Sequence, residues 1–107
     1  MKRGELVTIA LQGEHGKPRP ALVVQSDLFE AHATVTVLPL TSEIIEPAEF
    51  RVLIQPSSRN GLEKPSQVMA DKIQTAARRR IGRSFGTVDE ADMLAVNRAL
   101  ALFLGLV

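Results

Sequence analysis

The sequence predicts a mostly β (α+β) fold, a small antiparallel β-barrel with one helix packed against it. Short β-rich runs separated by turn residues occupy most of the 107 residues. Apolar residues change from strand-like to helical spacing only near the C-terminus. The length suits a single small domain over residues 1–107. Many short strands followed by one helix favour a barrel over a layered α/β fold.

The first half of the chain contains three predicted strands. Residues 5–10 form the first, and residues 12–18 form a loop marked by glycines and a proline. The second, 21–26, is apolar enough to be buried on both faces. Residues 34–41 form the third, which is β-branched and alternating. Because proline cannot donate to a sheet, Pro39 predicts an edge position or a bulge near the end of this strand.

Three further strands are predicted in the second half. They cover residues 50–55, 66–75 and 83–88, and a turn over 56–63 with an Asn-Gly step separates the first two. The pattern then becomes helical, and the order of the elements is that of a barrel closed by a C-terminal helix.

The helix is predicted over residues 89–104, with Asp89 as its N-cap. One stripe at helical spacing predicts the core face: Met93, Val96, Leu100, Phe103 and Leu104. Leu94 and Leu102 lie on another face, which would suit a dimer contact.

Composition excludes several classes of protein. The absence of cysteine excludes disulfides and thiolate metal sites, and it suits a reducing cytoplasm. The N-terminus lacks the apolar stretch of a signal peptide, and no segment approaches the roughly 20 apolar residues of a membrane span. We therefore expect a cytoplasmic protein without membrane contact.

Charge is distributed unevenly along a chain whose net charge is only +1. A basic strip contains five residues: Lys72, Arg78, Arg79, Arg80 and Arg83. Such a strip can bind a phosphate backbone, and it can equally be a solvated charged face. Because the chain has no Trp or Tyr and only four Phe, an aromatic platform for stacking bases is not expected.

The tripeptide Pro18-Arg19-Pro20 is the most informative local feature. Both prolines restrict the backbone, so that Arg19 is extended and stiff. An arginine held in this way loses little backbone entropy on meeting a phosphate, and its guanidinium can bond two phosphate oxygens. The structural alternative is an arginine that pairs with a surface carboxylate such as Glu14.

Other candidate groups are individually weaker. Thr41 and Ser42 offer hydroxyl donors at the end of a strand, although a threonine there is ordinary in a β-strand. His15 and His32 are possible acid–base groups, and His32 has no partner suggested by its surroundings. No set of histidines and carboxylates has the spacing of metal ligands, so neither a metal nor a cofactor is expected.

Taken in order, these features resemble the MazF/PemK family of toxins. Residues 2–7 resemble the Arg-Gly-Asp/Glu start, and residues 16–25 resemble the loop and strand with the Arg-Pro step. Residues 37–42 resemble the strand that ends in a functional threonine, and 61–75 resemble the later strand. Residues 80–82 and the closing helix complete the order, so the resemblance spans essentially the whole chain.

The resemblance implies an SH3-like barrel of the CcdB/MazF type, a homodimer, and metal-independent, sequence-specific cleavage of single-stranded mRNA. It implies catalytic roles for Arg19 and Thr41, and for Glu14 in the preceding loop. Together with the basic strip, it gives these RNA-binding candidates: His15, Lys17, Ser42, Lys72, Arg79 and Arg80. Lys72 stands where a glutamine is common in the family. A cognate antitoxin with an acidic, disordered tail is the implied protein partner.

Two questions remain open at this level. The group that removes the proton of the RNA 2′-hydroxyl can be Glu14 or His15, or stabilisation can be purely electrostatic. The chain can also be a non-enzymatic toxin resembling CcdB, which poisons DNA gyrase by binding, although the Arg19 and Thr41 pair favours a nuclease. A plain SH3-like binding module would need an aromatic-lined groove, which the composition lacks.

Overall fold

The computed structural model describes residues 1–10 and 17–107. Within them, seven strands precede one helix: β1 Glu5–Ala10, β2 Pro18–Val23, β3 Thr34–Thr41, β4 Arg51–Ile54, β5 Ser66–Met69, β6 Gln74–Ala77, β7 Ile81–Thr87 and α1 Glu90–Leu104. Short 3₁₀ turns lie at Asp27–Phe29, Ala70–Lys72 and Arg78–Arg80. The architecture is the predicted one, a mostly antiparallel barrel with a C-terminal helix.

The strands form a sheet in the order β4-β5-β3-β2-β1-β7, and every pairing is antiparallel. Strand β3 is central and changes partners along its length. Its first half, Thr34 to Val37, pairs with β6, and Leu40 and Thr41 pair with β5. On the opposite side β3 pairs with β2. The two halves of the barrel are therefore joined through one continuous strand.

The loop between β4 and β5 closes the barrel against β7. The backbone N–H of Thr87 donates to the carbonyl of Arg59 at 3.0 Å. Asn60 is only 3% exposed, and its side chain organises the loop from within. Its Oδ1 accepts from the N–H groups of Ser57 and Leu62 at 3.0 Å each, and its Nδ2 donates to the Gln55 carbonyl at 2.9 Å.

Two apolar clusters lie on the two faces of the sheet. One lies beneath the helix, where Leu6, Leu22 and Leu38 pack with Val96 and Ala99 of α1. The other is built from residues that alternate with these along the same strands: Val7, Ile9, Ala21, Val23, Val35, Val37 and Ala76. The middle parts of β1, β2 and β3 are thus covered by apolar side chains on both faces.

The first and third strands begin and end where the sequence predicts them, and so does the helix cap. Asp89 Oδ1 accepts from the N–H of Asp92 at 2.8 Å, as an N-cap should, and α1 ends at Gly105 in the left-handed conformation. The predicted core stripe is wrong at its C-terminal end. Phe103 and Leu104 are 47% and 48% exposed, because the last turn of α1 extends past the buried core.

Four of the predicted strands differ from those in the structure. The run predicted as one strand over 66–75 is two strands, because its ends pair with different halves of β3 and a 3₁₀ turn at Ala70–Lys72 joins them. Strand β2 lies earlier than predicted, since its prolines extend beside the end of β1. Strand β4 is shorter than predicted and β7 begins earlier.

The expectation of an edge strand or a bulge at Pro39 was wrong. Pro39 pairs with Ala21 in the interior of the sheet. On its other side it falls between the residues that pair with β6 and those that pair with β5. No ladder hydrogen bond is required of its nitrogen there, so proline is tolerated in a central strand.

Candidate active-site groove

An open groove of about 620 Å³ lies at one mouth of the barrel. Its rim is formed in turn by β1, β2, β3, the start of β5, the loop that precedes β5, and β7. Fifteen of the described residues line it: Thr8, Pro18, Arg19, Pro20, Leu40, Thr41, Ser42, Glu43, Gly61, Leu62, Glu63, Lys64, Ser66, Arg83 and Phe85. We call this site the groove.

The pairing of β2 with β3 brings Arg19 and Thr41 to the same groove. Ala21 lies opposite Pro39, and each step toward the groove moves one residue along each strand in opposite directions. The paired residues end there, and Arg19 and Thr41 lie two residues further along their strands, toward the groove. Both residues line the groove, although they are 22 positions apart in sequence.

The hydroxyl of Thr41 is oriented by the loop that follows it. Its Oγ1 accepts from the backbone N–H of Glu43 at 3.1 Å, so that one lone pair is occupied and the O–H remains a donor. The loop is held by Gln67, which is opposite Thr41 and only 4% exposed. The Gln67 side chain accepts from the N–H of Ile45 at 3.2 Å and donates to its carbonyl at 2.9 Å.

Positive charge exceeds negative charge in the groove. Arg19, Lys64 and Arg83 line it, together with Glu43 and Glu63. All five residues are exposed. A concave surface with excess charge of one sign concentrates the potential there, and this groove therefore attracts anions.

Arg19, Thr41 and Ser42 line the groove, whereas four other candidates do not: Lys17, Lys72, Arg79 and Arg80. Lys17 is exposed and immediately precedes Pro18. Lys72 forms an ion pair with Asp71 at 3.6 Å, as the adjacent charges suggest. Glu14 and His15 lie outside the described residues, so their predicted roles stay predictions.

The basic strip does not form one surface around the groove. Arg83 lines the groove, whereas Arg80 lines a separate cavity of about 280 Å³ beside β6. Arg79 is exposed on the 3₁₀ turn between β6 and β7. Arg78 donates from Nε to the carbonyl of His32 at 2.6 Å, which gives that arginine a structural role.

Among residues 1–10 and 17–107, the carboxyl groups with a shifted pKa lie outside the groove lining. A hydrogen bond from the Ser84 side chain, with a second from the Lys2 N–H at 2.6 Å, lowers the pKa of Glu5. Hydrogen bonds from Lys2 and the N-terminal ammonium lower the pKa of Glu30. Burial raises the pKa of Asp92 beside the N-cap. These three carboxyl groups therefore belong to the structure around β1 and α1 and not to the groove.

Residues 1–10 and 17–107 contain no group of three or more His, Cys, Asp or Glu side chains arranged to hold a metal ion. Over the same residues, no helix is long and apolar enough to cross a membrane.

The groove also contains residues that sequence reasoning did not select. Thr8, Lys64 and Phe85 line it, and Gln67 supports it from below. The glycines at positions 82 and 86 of one strand are a local signal that could have indicated an irregular edge here. Nothing in the sequence around Gln67 indicates a buried amide.

Comparisons with known proteins agree with this architecture. The family model described as "PemK-like, MazF-like toxin of type II toxin-antitoxin system" matches residues 2–104. A protein named "Probable endoribonuclease MazF" from Mycolicibacterium smegmatis is 40% identical over 107 residues, covering 99% of this chain and 98% of that protein. "Endoribonuclease MazF9" from Mycobacterium tuberculosis is 34% identical over 116 residues, covering 99% and 98%.

A solved structure gives the same result at the level of the fold. The mycobacterial "Endoribonuclease in complex with its cognate antitoxin" superposes with a TM-score of 0.85 at 30% identity, covering 100% of this chain and 97% of that one. A second mycobacterial endoribonuclease superposes with a TM-score of 0.81 at 29% identity, covering 98% and 91%. This chain belongs to the family of PemK-like, MazF-like toxins of type II toxin–antitoxin systems.

Proposed function

We propose that this toxin is an endoribonuclease that cleaves single-stranded mRNA at short sequences, with the RNA 2′-hydroxyl as the nucleophile. The observation that carries the proposal is that Arg19 of β2 and Thr41 of the neighbouring strand β3 line one groove, in which the described lining residues have an excess of positive charge. The endoribonuclease names of the similar mycobacterial proteins support the same activity. They do not favour the alternative of a gyrase-binding toxin.

RNA carries its own nucleophile, so the reaction needs no activated water. The 2′-oxygen forms a bond to phosphorus, and the bond from phosphorus to the 5′-oxygen breaks. The products are a 2′,3′-cyclic phosphate and a 5′-hydroxyl, and one proton passes overall from the 2′-oxygen to the 5′-oxygen. Because no step requires a metal-bound hydroxide, we propose that cleavage is metal-independent.

The contribution of the protein is to stabilise charge in the transition state. Negative charge grows on the phosphorane oxygens, and Arg19 can donate two hydrogen bonds to them. Thr41 can add a third from its free O–H. In this proposal Glu14 or His15 of the preceding loop moves the proton, and Ser42 and Lys17 bind the flanking nucleotides.

The substrate is single-stranded because bases must be unstacked to be recognised. An A-form duplex hides its base edges in a narrow groove, which side chains cannot enter. Flanking phosphates are assigned to Lys72, Arg79 and Arg80, which lie outside the groove lining and can contact RNA that leaves it.

We propose that the toxin binds two protein partners, an antitoxin and a second copy of itself. A groove that attracts phosphate also attracts an acidic peptide, and a disordered antitoxin tail that folds on binding can cover it. A homodimer is the second, with Leu94 and Leu102 as contact candidates because both are about half exposed on α1. We further propose that residues 1–107 act as one toxin domain in the cytoplasm.

The test is cleavage of a long, unstructured RNA by wild-type protein and two variants. Arg19→Ala should lower kcat by about 10²–10³-fold, the cost of losing one transition-state donor. Thr41→Val should have a smaller effect, since it removes a neutral donor. Arg59→Ala, an exposed arginine outside the groove lining, is the matched control. An Arg19→Ala variant that is folded by circular dichroism and cuts at the wild-type rate would contradict the proposal.

A further inference from the structure

A β-bulge places Arg83 in the groove. In the register of β1 and β7, Val7 lies opposite Ser84 and Ile9 lies opposite Ile81. One residue of β1, Thr8, therefore faces two residues of β7, Gly82 and Arg83. Such a bulge bends the strand and redirects a side chain relative to regular alternation.

The bulge is fixed by Thr8. Its Oγ1 accepts from the backbone N–H of Arg83 at 3.1 Å, which satisfies the amide that regular pairing would have used. Gly82 makes this contact possible, because a Cβ at position 82 would overlap Thr8 Oγ1. The irregular backbone is thus held by a specific acceptor and a specific glycine, and the Arg83 side chain lines the groove.

The guanidinium of Arg83 has no ion-pair partner among the described residues. No carboxylate of residues 1–10 or 17–107 forms an ion pair with its guanidinium. It shares the groove with Arg19, Lys64, Glu43 and Glu63, so that positive charge is in excess among the described lining residues and favours a bound anion.

The position of Arg83 relative to Arg19 suggests which anion this is. Strand β1 separates β2 from β7, so the two arginine backbones are two interstrand spacings apart, about 10 Å. Two arginines at this separation can each reach a different phosphate of one RNA strand. We propose that Arg83 binds the RNA phosphate next to the one held by Arg19 and Thr41. The inference rests on the proposed function and adds a second phosphate subsite to the groove.

A subsite of this kind contributes to binding and leaves the chemical step unchanged. Arg83→Gln should raise KM, and the Kd for an uncleavable 2′-O-methyl RNA, by about tenfold, the value of one charge-assisted hydrogen bond. The kcat should stay within about twofold. The slope of log Kd against log salt should fall by about 0.7, the share of one single-strand phosphate. Arg59→Gln, with the same loss of charge outside the groove, should change none of these quantities.

Thr8 supplies a second test, as the residue that positions Arg83. Thr8→Val removes the acceptor and should raise KM in the same direction, whereas Thr8→Ser keeps the oxygen and should restore it. A purely structural role of Thr8 predicts a different result. Thr8→Val would then lower the free energy of unfolding, and Thr8→Ser would not restore KM.

The outcomes separate this inference from the proposed function. Wild-type protein that binds and cleaves RNA, with Arg83→Gln equal to it in Kd and KM, overturns the subsite alone. Loss of kcat with an unchanged Kd also overturns it, because Arg83 would then act on the reacting phosphate. Wild-type protein that binds RNA without cutting it contradicts the proposed function, and the Kd of Arg83→Gln still decides the subsite. Wild-type protein that neither binds nor cleaves RNA overturns both.

Discussion

Replacing Gly86 by alanine tests how the loop before β5 closes the groove. Gly86 lies on β7 outside the left-handed region, so the effect of a methyl group there is steric. The new Cβ would overlap the carbonyl group of Asn60 and lie 2.8 Å from its Cα. These are backbone atoms, which cannot swing aside as a flexible side chain would.

The expected loss of stability follows from what Asn60 holds in place. Relieving the overlap moves a residue that is 3% exposed and whose side chain accepts from two backbone amides. Overpacking costs about 1–3 kcal/mol, and weakening one buried hydrogen bond adds about 1 kcal/mol. We expect a loss of about 2–4 kcal/mol in the free energy of unfolding, which corresponds to a fall in Tm of about 10–20 °C.

Urea denaturation and thermal melting followed by circular dichroism measure this loss. Gly105→Ala is the matched control, because its Cβ would meet nothing within 4 Å and the cost is only that of a left-handed alanine, about 1 kcal/mol. Gly86→Ala should also reduce RNA cleavage at temperatures where it is folded, since Leu62 and Lys64 move with the loop. A Gly86→Ala protein at least as stable as Gly105→Ala would refute this account of closure.

Three further predictions follow from the charges and the exposed surface. Because the folded state lowers the pKa of Glu5, its stabilisation is present above the unfolded pKa and is lost as pH falls through the folded value. Ser84→Ala should therefore cost about 1 kcal/mol at about pH 7 and little at about pH 3 by urea denaturation, and equal losses at both would contradict this. Charge reversal of Arg79 and Arg80 to Glu should flatten the salt dependence of RNA binding, whereas an unchanged slope would assign them to structure. Sedimentation at micromolar concentration should show a dimer that Leu102→Glu dissociates, and a fully active wild-type monomer would overturn the dimer proposal.

The elements that the sequence predicted well are those specified by neighbouring residues. Strand β1 is a short run of apolar and β-branched residues, and α1 begins at a capping aspartate and ends at a left-handed glycine. The break between β5 and β6 could not be predicted in the same way. The break exists because one part of β3 pairs with β5 and another part pairs with β6. No residue near Ala70–Lys72 indicates this change of partner.

The candidate site shows the same division. Arg19 and Thr41 were selected from rigid local geometry and a family resemblance, and both line the groove from neighbouring strands. The interaction of Thr8 with Arg83 joins residues 75 positions apart through a bulge. Local sequence cannot specify the register of two such distant strands, so Arg83 entered the sequence analysis only as part of a charged strip.

The chemistry of the cleaved ends is the most direct test of the proposed mechanism. Purified toxin is incubated with a long RNA in excess EDTA, and the products are analysed by mass spectrometry. A 2′,3′-cyclic phosphate on one fragment and a 5′-hydroxyl on the next, formed at the rate seen without EDTA, is the predicted result. A reaction that stops in EDTA and returns with Mg²⁺, or one that leaves a 5′-phosphate, would contradict attack by the 2′-hydroxyl.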